Sequence, residues 1–78
     1  MEKNQSINWY ENLAETGTAE AKVAALDTLG IMHEFGLHVE QDLTKAKKYY
    51  EQSKALGSEY AEKRLTEIDS MQAQVILK

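Results

Sequence analysis

The chain contains neither cysteine nor proline. Without cysteine it can form no disulfide and no thiolate metal site. A fold of 78 residues, near the lower limit for a single core, must therefore be held by packing alone. Without proline nothing enforces a helix break, and the four glycines are spaced to leave long helices between brief turns. Also missing is any apolar run long enough for a signal or membrane segment, and the start Met1–Gln5 is polar. The chain is expected to be cytoplasmic, with no membrane as a partner. Positive charge is scarce too: nine Lys and Arg stand against thirteen Asp and Glu, a net charge of −4. Lys45, Lys47, Lys48 and Lys54 cluster locally, but Glu51 sits among them and no Gly-rich or aromatic-basic loop accompanies them. They read as a solvated helix face, and nucleic acid is not an expected partner.

What is present is helical periodicity, with 42% of the residues apolar. Four segments emerge: 6–16, 18–35, 42–56 and 58–77. Ser6 is a plausible N-cap for the first, in which Ile7, Tyr10, Leu13 and Ala14 form an apolar stripe and Gly17 supplies a left-handed stop. The second starts at Thr18 or Ala19. Ala21, Ala25, Leu29 and Met32 make its stripe, with Ala24, Thr28 and Ile31 beside it, and Gly36 ends it. Gly30 inside that helix costs about 1 kcal/mol relative to alanine, so a close-lying helix or ring is expected over it. Asp42 is the expected cap of the third helix, with Thr44 the competitor. Leu43, Ala46, Tyr49, Tyr50 and Ser53 form its buried side, and Gly57 ends it. Ser58 can cap the fourth, where Ala61, Leu65, Ile68 and Val75 keep helical spacing. The predicted fold is one all-α domain over 1–78, four antiparallel helices with short links.

The first and third segments repeat one another. Trp9-Tyr10 and Tyr49-Tyr50 lie forty residues apart, as do Gly17 and Gly57, Ala21 and Ala61, and Glu11 and Glu51. A period of that size is the signature of a helical solenoid. Ala25, Leu29-Gly30, Gly36, Val39, Asp42, Lys45-Ala46, Tyr49-Tyr50 and Gly57 moreover follow the order and spacing of the Sel-1-like repeats. The chain resembles that family of tetratricopeptide-related α/α solenoids over roughly Trp9–Leu65, or one and a half to two repeats. His33 stands where the family usually has tyrosine, and His38 replaces the second glycine of its turn. Gly17 precedes Ala25 by eight residues rather than four, so the second helix should be a turn longer than usual. Thr66 follows Leu65 where a glycine would continue the pattern, as suits a terminal helix.

Chemistry is sparse. His33 and His38 are the only histidines, and Gly36 breaks the helix between them with no third ligand fixed, so neither a metal nor another cofactor is expected. His33 reads as a ring filling a helix–helix contact, and His38 as a loop residue. The serines Ser6, Ser53, Ser58 and Ser70 fall at caps or helix faces without a partnered base. The carboxylate pairs Glu15/Glu20 and Glu62/Glu67 look like solvated surface. No catalytic residue is assigned, and the expectation is that the chain is not an enzyme. Tyr50 is expected in the core, whereas Trp9 and Tyr49, beside the stripe, are the aromatics expected to show a surface.

The resemblance implies a protein-binding role, that of an adaptor or an assembly factor. With fewer than two repeats, a compact inhibitor, immunity-type or adaptor protein that occludes one site on its partner fits best. The expected contacts are the polar outer side of the second helix (Lys22, Asp27, Glu34), the loop through His38 and Glu40, and the apolar end at Met71, Val75 and Ile76. Two alternatives stand beside it: a homodimer through the C-terminal helix, and a metal- or pH-responsive switch through His33 and His38.

Overall fold

The computed structural model describes the backbone of residues 2–77 and the side-chain surroundings of residues 7–72. Four helices account for the described residues, which include no strand: α1 Glu2–Thr16, α2 Ala19–Phe35, α3 Leu43–Ala55 and α4 Glu59–Leu77. Each packs on the next in sequence, α1 on α2, α2 on α3 and α3 on α4. The Cα atoms occupy a slab of 41 × 31 × 12 Å. No described helix is long and apolar enough to cross a membrane.

The caps follow from side-chain chemistry. Thr18 accepts the Ala21 amide at 3.2 Å, Asp42 accepts that of Lys45 at 3.1 Å and Ser58 that of Ala61 at 3.0 Å, each taking a donor without a partner in the first turn. Asp42, not Thr44, is thus the cap of α3. Gly36 ends α2 in the left-handed conformation (φ 71°), after which the Leu37 amide turns back to the Met32 carbonyl at 2.8 Å. His38 is also left-handed (φ 65°).

Two expectations about α1 are corrected. The helix begins at Glu2, so Ser6 lies inside it and does not cap it. Helix-compatible residues precede Ser6, and nothing there ends the helix. Gly17 is not in the left-handed region, which holds only Gly36 and Gly57 among the glycines. Its role is space: a Cβ there would lie 2.7 Å from the Leu13 carbonyl oxygen and 2.9 Å from the Ala21 Cβ, so the α1–α2 corner closes only on a residue without one.

The core centres on Tyr50. It is fully buried together with Leu29, Ala46, Ala61 and Ile68, the expected stripes of α2, α3 and α4. Gly30 makes room for it: a Cβ on Gly30 would fall 2.5–2.8 Å from the Tyr50 ring. Glycine inside α2 therefore serves the close approach its position predicted. By contrast, the α1 stripe of Ile7, Tyr10, Leu13 and Ala14 is only half-buried, since α1 packs on one neighbour.

Candidate partner-binding groove

The polar face of α2 does not point outward. Glu34 is only 3% exposed, because α4 folds across this side of α2. The Arg64 guanidinium binds both Glu34 carboxylate oxygens, Nε reaching Oε1 at 3.2 Å and Nη2 reaching Oε2. The Tyr50 hydroxyl donates to the same Oε1 at 2.8 Å. This hydrogen-bonding to Glu34 pushes the Arg64 pKa further up, which keeps the guanidinium charged. Burial, and next the bond to Glu34, raise the Tyr50 hydroxyl well above its ordinary range, leaving it a donor. About two turns earlier, Asp27 accepts from the Ser58 hydroxyl at 2.9 Å. Asp27 and Glu34, seven residues apart on one helix face, thus clasp α2 to α4. The expectation that Glu34 lies on an outer side of α2 is corrected, because helix periodicity marks it as polar without revealing the cation that Arg64 brings to it; Asp27 is half-buried. Lys22, on the same helix, is half-buried.

The remaining expected contacts scatter. His38 and Glu40 are exposed in the α2–α3 loop. Met71 is exposed on α4, and Val75 and Ile76 lie outside the residues whose side chains are described. Trp9 is 60% exposed, its ring edge-on to Tyr10.

A concave surface occurs elsewhere, between α1 and α3 with α2 as its floor. Near the middle of the slab it is lined by Glu11, Ala14 and Glu15 of α1 and by Tyr49 and Gln52 of α3, over Leu26 and Leu29 of α2, a hollow of about 390 Å³. Toward the α2–α3 loop it continues past Ile7 and Glu11 on one side and Asp42 and Lys45 on the other, over His33, with about 270 Å³ of open volume. Glu11 belongs to both parts. The α3 wall spans Asp42 to Gln52, about 15 Å at the helical rise. Residues 7, 11 and 14 of α1, and 42, 45, 49 and 52 of α3, recur every three or four positions, so each wall is one helix face.

Tyr49 divides the groove. Its hydroxyl reaches across to Glu11 Oε2 at 3.4 Å, and its ring stacks on His33 with centroids 5.5 Å apart and planes 14° from parallel. Burial and the neighbouring Glu11 carboxylate raise the Tyr49 hydroxyl, which therefore stays protonated. His33 is 6% exposed, and its Nδ1 has no hydrogen-bond partner. Burial lowers its pKa, helped by Lys45; Asp42, Glu11 and the hydrogen-bonded Glu40 carbonyl pull the other way without prevailing. The ring is thus neutral at pH 7. No group of three or more His, Asp or Glu that could hold a metal occurs among the described residues.

The groove was not assigned from sequence, although its walls were visible there. Glu11 and Glu51 occupy equivalent places in the forty-residue period, but only Glu11 faces a second helix of its own kind. Compared with known proteins, the chain matches no family model, no curated protein and no solved structure.

Proposed function

We propose that this chain is a small, non-enzymatic protein-binding module, a short antiparallel α/α solenoid of the Sel-1-like kind. The groove between α1 and α3 is the observation that carries this reading. It offers an open, helix-walled channel about 15 Å long, suited to a segment of another protein rather than to an enclosed small molecule. The strictly sequential packing of the helices and the forty-residue recurrence of Trp9-Tyr10 as Tyr49-Tyr50 support the solenoid. In that arrangement α1 and α3 are the second helices of successive units, so a groove between them is what the repeat builds. The one buried histidine lies beneath a tyrosine ring instead of beside a nucleophile, which favours binding over catalysis.

Cross-linking in the producing cell tests the reading. A benzophenone side chain at Gln52, in the groove wall, should capture one discrete protein. The same group at Lys63, on α4 and outside the groove, should not capture it. Equal capture from both positions, or none from Gln52, would remove the groove as the functional surface.

A further inference from the structure

Four carboxylates, Glu11, Glu15, Glu40 and Asp42, line the groove against the single ammonium of Lys45. None of the four takes part in a salt bridge among the described residues, whereas Lys47, Arg64 and their partners are paired on other faces. Glu11 accepts only the 3.4 Å contact from Tyr49, and Asp42 is occupied on one oxygen as a helix cap. Like charges converging on a concave wall raise the local negative potential, and the folded chain gains nothing from it. The second observation is His33. It lines this part of the groove, is more than nine-tenths buried, and keeps at Nδ1 an acceptor without a donor, a condition rare enough in a packed protein to require a reason.

We infer that the groove receives a positively charged side chain, an arginine or lysine of the bound protein segment, whose head group sits between Glu11 and Asp42 and whose stem lies along the stacked Tyr49 and His33 rings. The inference rests on the groove being the binding surface. An arginine suits it best. Its planar guanidinium donates to two carboxylates at once and stacks on an aromatic face, which an ammonium does less well. The Tyr49–Glu11 contact is long for an O–H···O bond, so an incoming cation displaces a weak interaction and gains a charge-assisted one. The occupant is accordingly a basic segment and not an acidic one, and Lys45 at the loop end sets its direction by repelling a second cation there.

The test uses ethylguanidinium as a mimic of the arginine head group and ethylurea as its neutral counterpart, titrated into isotopically labelled full chain and followed by NMR. The fragment should shift the Tyr49 and His33 ring signals and the Glu11 and Asp42 carboxyl signals saturably, with a dissociation constant on the order of millimolar for so few atoms. Ethylurea should not. Glu11→Gln, which keeps size and helix propensity, should weaken the guanidinium response several-fold, while Glu62→Gln on α4 should leave it unchanged. Overturning results are an equal response to ethylurea, shifts spread evenly over the acidic surface, or an unaffected response in Glu11→Gln. Because cross-linking from Gln52 does not depend on this head group, a partner captured there without a guanidinium response would refute the cation site and leave the binding groove standing.

Discussion

Gly30, Tyr50 and Glu34 form one unit in which each residue explains the next. The missing Cβ of Gly30 admits the Tyr50 ring, the ring is fully buried, and its hydroxyl ends on Glu34 at 2.8 Å. Gly30→Ala adds helix propensity of about 1 kcal/mol, but the ring below is tied at both ends and cannot yield. Overpacking of about 1–3 kcal/mol should outweigh the gain, and Gly30→Leu should cost more still. Urea denaturation of the two variants checks this; a stabilised Gly30→Ala would mean that the ring can move. His33 gives a second residue-level expectation. Its folded-state pKa is lowered, so the unfolded chain takes up the proton first, and stability is complete above the unfolded value near 6.5 and declines as pH falls below it. The groups facing the ring are Lys45, Asp42, Glu11, the Glu40 carbonyl and the Tyr49 ring. His33→Phe preserves the stack and removes the titration. Its denaturation midpoint should therefore fall less than the parent's between pH 7 and pH 5.

Helix α4 is held by apolar contacts on one side and by polar contacts on another. Leu65, Ile68 and Ala61 pack it on α3, but its hold on α2 is the pair of clasps Asp27–Ser58 and Glu34–Arg64. Glu34→Ala would strand a mostly buried guanidinium and orphan the Tyr50 hydroxyl, at a cost of about 3–5 kcal/mol. Thermal unfolding should show a loss of this size for Glu34→Ala, and a much smaller one for Glu67→Ala, whose contact with Arg64 is exposed. The apolar faces of all four helices and the caps Asp42 and Ser58 were legible in the sequence, because spacing and cap chemistry act within a few residues. The inward turn of Asp27 and Glu34 was not, since it depends on Arg64 arriving from thirty residues away.

At the scale of the molecule, a slab only 12 Å deep in its Cα atoms leaves the two inner helices with neighbours on both sides, α2 between α1 and α3 and α3 between α2 and α4, and each end helix with one; Arg64 of α4 ties in addition to Glu34 of α2. Hydrogen exchange should accordingly be slowest at the amides of Leu29–His33 and faster through Asn8–Glu15 of α1, whose stripe is half-buried, because local opening costs least where fewest apolar contacts are broken. Equal protection in α1 and α2 would contradict that order. The same flatness exposes the groove. With one helix layer as floor and two as walls, the carboxylates on those walls are held apart from any internal cation except Lys45.

The amino-acid sequence by itself determined an all-helical chain of four segments, the caps Asp42 and Ser58, the apolar stripe that meets in Tyr50, and the need for a ring over Gly30. These are properties of neighbours three, four or seven residues apart, and the backbone geometry of a helix converts them directly into faces. The tertiary structure alone decided which polar faces are shut and which are open. It closed α2 with Arg64, and it set Glu11 of one helix opposite Asp42 and Tyr49 of another across His33. Those relations join residues some thirty positions apart, and they exist only once the helices have packed.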